Sequence, residues 1–448
     1  MSLTEDIAAH ACGLKHAALP DAAVVAALTF TYDTLAVGAA GAGSPLAEPV
    51  LSVARRWGQG DGAMVLGTGE RLPPASAAFV NGFLIHCQEY DCVHEAAVVH
   101  PMATVLAALL AEAEARPVPG TDFLAGIVAA VDVAAGLGVA APNPLRFFRP
   151  ATAGVFGATA GIARLRGWAP DRLLSAWGLA LAQAAGTMQA HAEGKPALPV
   201  QIANAARAAH VACDLAEAGV EGPRDALAGP FGYLSLFEED ADLARGFGAM
   251  GEAFRITEVS HKAYPTGRAA QGGLLALERL MDRGLTSDGL DALVLAAPPI
   301  IPRLVGRAAE AGAPASQARL CFAYLAARML TNGRVGLDDF TDAALSDEAV
   351  LHLAARVRVE DRGGAANAFA PQTLTATLRD GRTLSETIDA LPGSPDAPLT
   401  RQQQDEKAAR CLAYGAPGAD AAALRAAVFA LPEARDAGAV APYAVRTS

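Results

Sequence analysis

Apolar residues recur with helical spacing through the first 250 residues of the chain. The segment 21–37 is rich in alanine and valine, and Asp33 is the only charge inside it. None of the long segments alternates between apolar and polar with period two, the pattern of a half-buried strand. The pattern therefore predicts closely packed helices at residues 21–37, 46–57, 75–90, 102–115, 121–139, 152–166, 170–191 and 204–218.

The pattern changes after Lys262. Short β-branched or alternating runs at 293–301, 357–359 and 374–378 predict strands, and helices are predicted between them at 267–283 and 316–330. A linker, GSPDAPLT, precedes a helical tail that starts at Arg401. We predict a mainly α fold: a large all-α helical domain over 1–265, completed by the tail 397–448, plus a smaller α+β lid domain over 266–396.

Composition and charge limit the partners of the chain. Hydrophobic residues make up 52 % and charged residues 18 %, an excess of apolar surface that predicts a homodimer. The net charge of −12 argues against nucleic-acid binding. The most apolar run, 126–142, contains Asp132, so no membrane span is expected. Six scattered cysteines without a C-x-x-C pair, and no signal-peptide pattern, predict free thiols and a cytoplasmic location.

Titratable residues are concentrated between residues 81 and 111. His86, His94 and His100 lie within fifteen residues of one another, interspersed with acids that include Glu89 and Asp91. Imidazole and carboxylate groups in a dry pocket can transfer protons near neutral pH. Two alternatives stay open, a metal site, for which no closed ligand set is visible, and a polar helix end. His100 also precedes Pro101 at a helix start, where the helix dipole lowers the pKa of an imidazole, although it could equally only cap the helix.

Two further places carry clustered cations. The segment 258–268, EVSHKAYPTGR, contains Lys262, Tyr264 and Arg268 around a turn at the predicted domain junction. Arg149 lies beside two phenylalanines before a predicted helix. Arginine and lysine in a cleft can bind carboxylates. Solvated charges at a hinge and in a loop are the alternatives.

Six motifs occur in order along the chain: YDTLAVGAAGAG at 32–43, AAFVNGFLIHCQEYD at 77–91 followed by HP, FRPATAGVFGATAG at 148–161, GKPALPVQIANAAR at 194–207, KAYPTGRAAQGG at 262–273 and GRVGLDDFTD at 333–342. They resemble, in the same order, motifs of the MmgE/PrpD family, which includes 2-methylcitrate dehydratases, cis-aconitate decarboxylases and iminodisuccinate epimerases. The similarity extends over about residues 21–430. It implies a helical domain with an α+β lid, a dimer, a cleft between the two parts and no required cofactor.

The resemblance also assigns residues, residue by residue. The family residues kept here are His86, Asp91, His100, Lys262, Tyr264, Arg268 and Tyr324. Glu89 stands for a family aspartate, Arg149 and Gln271 for family histidines, and Leu198 and Gln201 for a lysine and a histidine, with Lys195 three residues before the lysine position. Several proton carriers of the family are therefore replaced.

We predict a lyase that acts on a small di- or tricarboxylic acid, by dehydration or decarboxylation through proton transfer next to a carboxylate. A small carboxylate is the expected partner, and no cofactor, metal, nucleic acid or membrane is expected. Two alternatives remain: an epimerase or isomerase of a small dicarboxylic acid on the same fold, and a non-catalytic carboxylate-binding homologue. The predicted catalytic residues are His100, Glu89, Asp91 and Tyr324, and the predicted substrate-binding residues are His86, Arg149, Lys195, Lys262, Tyr264, Arg268 and Gln271.

Overall fold

The computed structural model describes residues 2–142 and 145–447 of the chain. Helices hold 55 % of the residues and strands about 10 %, which confirms a mainly α protein. In the described ranges the helices are α1 (Leu3–Gly13), α2 (Asp21–Gly41), α3 (Ala47–Arg55), α4 (Pro74–His86), α5 (Pro101–Ala115), α6 (Gly120–Ala140), α7 (Arg149–Thr152), α8 (Gly154–Leu165), α9 (Pro170–Leu181), α10 (Gln189–Ala192), α11 (Ala197–Glu217), α12 (Tyr233–Phe237), α13 (Leu243–Phe247), α14 (Gln271–Asp282), α15 (Ile300–Val305), α16 (Ala315–Ala318), α17 (Phe322–Asn332), α18 (Asp342–Leu345), α19 (Glu348–Ala354), α20 (Arg401–Gly415) and α21 (Ala421–Phe429).

The strands form two short ribbons and one sheet. The sheet has the order β6-β5-β7-β8, in which β5 and β6 run parallel and the other neighbours antiparallel. The strands are β1 (Ala63–Met64), β2 (Arg71–Leu72), β3 (Val93–His94), β4 (Val259–Ser260), β5 (Leu290–Ala297), β6 (Val357–Asp361), β7 (Gln372–Leu378) and β8 (Thr383–Ile388), and 3-10 turns lie at His16–Ala18, Arg255–Glu258, Arg268–Ala270, Leu337–Phe340, Leu431–Glu433 and Ala437–Ala444.

The first hydrophobic core is formed mainly by buried residues between 7 and 259 and between 408 and 444. Small residues let its helices pack closely. On α8, a Cβ at Gly157 would lie 2.5 Å from the carbonyl oxygen of Ala130 on α6, so only glycine allows this approach. Helices α2 and α6 are long and apolar enough to cross a membrane. Their most apolar windows are, however, 72 % and 94 % buried inside the protein, as expected of core helices.

A second hydrophobic core lies between residues 269 and 391. Leu295 of β5 pairs with Leu374 of β7, and both side chains are fully buried. Helices α14 and α17 contribute buried leucines and Phe322 to the same core. The predicted domain boundary near residue 265, and the role of this part as a lid, stay predictions.

Some elements differ from the prediction in extent, and others were missed. The helix predicted at 170–191 ends at Leu181, and Gly186 then takes a positive φ of 128°, which an L side chain rarely adopts. The strand predicted at 293–301 ends at Ala297, because Pro298 and Pro299 have no N–H to donate to a sheet. Strand β8, TLSETI, was missed because most of its side chains are polar and at least partly exposed. The ribbons β1–β2 and β3–β4 also correct the prediction that the first 265 residues are entirely helical.

The C-terminal helices return to the first core, as α20 and α21 bury Cys411, Leu412 and Leu424 there. Lys407 on α20 makes an ion pair of 2.8 Å with Asp33 on α2 and donates a hydrogen bond of 2.9 Å to the carbonyl oxygen of Tyr90. Both charged side chains are buried, at 2 % and 5 % exposure. The single charge inside α2 thus ties the C-terminal helix to the segment around Tyr90.

Replacing Lys407 by methionine should lower the stability of the fold by about 3–5 kcal/mol, because it leaves the Asp33 carboxylate buried without a cation. Urea denaturation would measure the change. The matched control is Arg410→Met on the same helix, an exposed position that should change stability by less than about 0.5 kcal/mol. Adding Asp33→Asn to Lys407→Met should restore most of the loss. A Lys407→Met protein as stable as the parent would contradict this role of the ion pair.

Candidate active site

The titratable cluster forms where α4 ends and α5 begins. His86 is the last residue of α4. His100 is the N-cap of α5 with Pro101 at the first helical position, a helix start that the sequence predicts. The intervening segment is joined to β4 through the pairing of Val93 with Ser260. This pairing brings the turn that carries Lys262 against the segment between the two histidines.

Glu89 does not lie on a helix, which corrects the prediction that α4 continues through residue 90. Its φ is +52°, in the left-handed region that is unfavourable for a residue with a Cβ. Lys262 holds this conformation, because its ammonium donates to both the Glu89 carbonyl oxygen, at 3.0 Å, and the Glu89 carboxylate, at 3.1 Å. The turn directs the Glu89 carboxylate to within 3.6 Å of Nε2 of His86.

Asp91 is the centre of the cluster. Its Oδ2 lies 3.0 Å from Nδ1 of His86 and 3.0 Å from Nδ1 of His100, and its Oδ1 lies 3.6 Å from the Lys262 ammonium. Since an ionised carboxylate only accepts hydrogen bonds, each Nδ1 must carry a proton. In a neutral ring the proton is then absent from Nε2. Among the described residues, Nε2 of His100 has no hydrogen-bond partner, so it is free to act on a ligand.

The two carboxylates stay ionised although they are buried. Burial alone raises the pKa of Glu89, but the Lys262 ammonium and the two imidazoles lower it to about 2. Burial likewise raises the pKa of Asp91, and His86, His100 and Lys262 together hold it well below its usual range. Both acids are therefore permanent negative charges at neutral pH. Neither suits the proton transfer that the sequence suggested for them.

The two histidines are shifted in opposite directions. Burial lowers the pKa of His86, but the carboxylates of Asp91 and Glu89 outweigh burial and raise it above 6.5. Burial and the Lys262 ammonium lower the pKa of His100 below 6.5 despite Asp91. The direction for His100 is the one that the sequence predicts, but its main cause is burial. Two neighbouring groups with separated pKa values form an acid–base pair.

His86, Asp91 and His100 also offer three metal-ligating atoms that lie within 4.8 Å of one another. The Lys262 ammonium, 3.6 Å from Asp91, would repel a divalent cation placed there. The cluster therefore fits proton transfer better than metal binding, and the absence of a metal stays a prediction.

Two cavities meet at the cluster, and residues His86, Glu89, Leu198 and Leu320 line both. The first, which we call the apolar cavity, has a volume of about 60 Å³ and is also lined by His100, Phe148, Val305 and Phe369. The second, which we call the cationic cavity, has a volume of about 290 Å³ and is also lined by Lys195 and Arg319. A ligand at the cluster can therefore extend in two directions with different chemistry.

Three of the predicted substrate-binding cations are already paired with acids of the chain. Arg149 is buried and makes a two-pronged ion pair with Glu238 at 2.8 Å, and it also donates to the Ala97 carbonyl oxygen. Arg268 lines the apolar cavity, but its donors go to Glu95 and to two carbonyl oxygens. Lys262 forms ion pairs with Glu89 and Asp91. Of the predicted cations, Lys195 alone is exposed, and it lines the cationic cavity.

The remaining predicted site residues lie away from the cluster. The Tyr264 hydroxyl donates to Glu278 at 2.8 Å and lines another cavity, of about 520 Å³. The Gln271 amide bonds to the backbone of residues 263, 264 and 266, so it holds the turn that carries Lys262. Tyr324 is buried in the second core, where its hydroxyl bonds to the Asp339 carbonyl oxygen and Arg328. The structure thus brings together five of the predicted residues: His86, Glu89, Asp91, His100 and Lys262. Tyr264, Gln271 and Tyr324 lie outside this cluster.

Sequence reasoning missed two residues of the cavities. Arg319 is 3 % exposed and lines the cationic cavity, where its guanidinium lies 3.8 Å above the Phe340 ring. His191 lines the apolar cavity, and burial together with the Arg307 cation lowers its pKa to about 4. The arginine inside the apolar sequence ASQARLCFAYLAA was a signal for Arg319. For His191 there was none, because a helix was predicted to continue through it.

Comparisons with known proteins identify the family models and the relatives that the chain resembles. Residues 5–245 match the family model of the MmgE/PrpD N-terminal domain, and residues 264–431 match that of the MmgE/PrpD C-terminal domain. The chain is 26 % identical to the cis-aconitate decarboxylase of Homo sapiens, over 91 % of this chain and 87 % of that protein. It is 27 % identical to the cis-aconitate decarboxylase-like protein oryM of Aspergillus oryzae, over 88 % and 87 %. The cis-aconitate decarboxylase of Mus musculus is 26 % identical, over 91 % and 86 %.

Histidine titration followed by NMR should separate His86 from His100. His100 should stay unprotonated to a pH below 6.5, and His86 should keep its proton above pH 6.5, because burial dominates for the first and the two carboxylates for the second. Between the two pKa values the pair holds a base on His100 and an acid on His86. His86→Gln and His100→Gln would assign the signals. Overlapping titrations of both rings near 6.5 would contradict the pairing.

Proposed function

The chain belongs to the MmgE/PrpD family, and from that premise we propose that it is a lyase that removes carbon dioxide or water from a small di- or tricarboxylic acid. The observation that carries the proposal is the shared carboxylate of Asp91, which orients two imidazoles whose pKa values are shifted apart. The relatives named cis-aconitate decarboxylase support a lyase-type reaction. The proposal places the substrate at the junction of the two cavities.

A decarboxylation at this site needs an acid. The bond between the reacting carbon and its carboxylate breaks, carbon dioxide leaves, and the electron pair stays on the substrate carbon chain. The imidazolium of His86 or His100 then gives one proton to that chain and takes one back from solvent. Lys262 stabilises the developing negative charge through the same hydrogen-bonded network.

A dehydration uses both histidines. Nε2 of His100 takes a proton from the carbon next to a carboxylate, and the electron pair of that C–H bond forms the double bond. The hydroxyl group on the neighbouring carbon takes the proton of the His86 imidazolium as its C–O bond breaks. One water is then released. The opposite shifts of the two pKa values suit this division of roles.

One observation also favours an epimerase as a second candidate. The His86 and His100 rings lie 4.9 Å apart at nearly perpendicular planes, so the site holds two proton carriers. An epimerase removes a proton with one carrier and returns it from the other, with no leaving group. Proton NMR in D₂O separates the reactions: a lyase releases carbon dioxide or water, whereas an epimerase only exchanges the substrate hydrogen for deuterium.

We also propose a cytoplasmic homodimer that works without metal or cofactor. Support for a dimer comes from the apolar composition and from exposed apolar side chains such as Phe231, which is 80 % exposed, and Leu236, which is 54 % exposed. The Lys262 ammonium beside Asp91 supports the absence of a metal. Light scattering should give twice the chain mass, and dialysis against a chelator should leave turnover unchanged.

Replacing His100 by glutamine should lower turnover about a hundredfold or more, because the side chain that remains cannot carry a proton. Turnover would be followed by proton NMR in D₂O over a panel of di- and tricarboxylic acids. The matched control is His352→Gln, an exposed histidine on α19, which should leave turnover unchanged. Undiminished turnover in His100→Gln would contradict the assignment. Saturable binding without turnover of any acid by the parent protein would favour the non-catalytic binder.

A further inference from the structure

Among the described residues, the apolar cavity has no arginine or lysine left for a carboxylate. Arg268 is the arginine that lines it, and its donors are taken by Glu95 at 2.5 and 2.9 Å and by the carbonyl oxygens of His261 and Pro392. Apolar side chains make up most of the remaining wall, with Leu198, Leu320 and Val305 at 5 %, 5 % and 0 % exposure. A carboxylate placed among these apolar side chains would lose its hydration without gaining an arginine or lysine partner.

The cationic cavity, by contrast, is lined by an arginine that is available to a ligand. Arg319 is almost fully buried, and within the described chain it makes no ion pair with a carboxylate. Its hydrogen bonds there go to the Gln88 side chain and the Pro265 carbonyl oxygen, whereas a guanidinium carries five N–H donors. Burial lowers the pKa of Arg319 to about 10, so it still carries its charge at neutral pH. A buried, unpaired guanidinium is costly, and an anionic ligand would offset that cost.

Lys195 adds a second cation to the same cavity. It is exposed, and among the described residues its ammonium pairs with no acid. Two acids also line this cavity: the Glu89 carboxylate is paired with Lys262, and Asp342 is exposed and forms an ion pair with neither cation in the described structure. Arg319, which follows α16, and Lys195, which precedes α11, are therefore the cations of the described lining that are available to a carboxylate in this cavity.

We propose that the substrate is a dicarboxylic acid that carries a short alkyl substituent. One carboxylate binds Arg319 and Lys195 in the cationic cavity, the alkyl arm fills the apolar cavity, and the reacting carbon lies between them at His86 and His100. This inference rests on the proposed function and narrows its substrate class. Leu198, which lines both cavities, is then a specificity-determining residue that selects an alkyl arm over a third carboxylate.

The volume of the apolar cavity limits the length of the arm. The apolar cavity, at about 60 Å³, is far smaller than the cationic cavity, at about 290 Å³. We therefore expect it to accept a short arm, of the size of an ethyl or propyl group, and to exclude a longer one.

Binding of unreactive succinates by the full chain tests the inference. Isothermal titration calorimetry with succinate, methylsuccinate, ethylsuccinate and propylsuccinate should show affinity rising about fourfold or more per added carbon up to the ethyl group. Tricarballylate, which ends an arm of similar length in a carboxylate, should bind more weakly than propylsuccinate. Flat affinity along the series, or tightest binding of tricarballylate, would overturn the inference. Both results leave the lyase proposal to be decided by turnover.

Two pairs of variants locate the subsites. Leu198→Lys should reverse the preference and bind tricarballylate more tightly than propylsuccinate, whereas Val200→Lys on the same helix, outside both cavities, should not. Lys195→Met should weaken every acid by a similar factor, while the exposed Lys15→Met should weaken none. Unchanged ranking in Leu198→Lys, or unchanged affinity in Lys195→Met, would overturn the assignment of the corresponding cavity. If no succinate binds but another acid is turned over, the inference fails and the lyase proposal stands.

Discussion

The site depends on the buried carboxylate of Asp91. A carboxylate with no exposure to solvent is costly unless its charge is compensated, and here two imidazoles and one ammonium compensate it. The same contacts decide the chemistry, because Asp91 fixes both rings with Nε2 directed away from it. A group that stabilises the fold locally thus also sets which nitrogen can act on a ligand.

The rest of the fold keeps that carboxylate in place. Helix α4 ends at His86 and α5 starts after His100, so the cluster sits between two rigid elements. Lys262 lies 173 residues after Glu89, and the β3–β4 ribbon brings it to the cluster. There it holds Glu89 in its left-handed conformation. Lys407 holds the carbonyl oxygen of Tyr90, between the two acids. Contacts from far along the chain therefore converge on three consecutive residues, Glu89, Tyr90 and Asp91.

The sequence predicted the mainly α fold and the location of the cluster, because helical periodicity and the grouping of histidines with acids are local patterns. It did not predict which cations remain available. Arg149 and Arg268 look like ligands for an anion in the sequence, but Glu238 and Glu95, which neutralise them, lie far away along the chain. Arg319 was missed for the converse reason: only the folded chain shows that no described carboxylate forms an ion pair with it. Tyr324, which the family resemblance implied, lies in the second core, and its catalytic role stays a prediction.

The central claim is that Asp91 fixes both histidines in the form that carries the proton on Nδ1. Nitrogen-15 NMR of histidine-labelled protein reads this directly, because the two ring nitrogens of a neutral imidazole have different chemical shifts with and without a proton. At a pH where His100 is neutral, its Nδ1 should be protonated and its Nε2 unprotonated, and Asp91→Asn should abolish that preference. A neutral His100 with its proton on Nε2 in the parent protein would contradict the account.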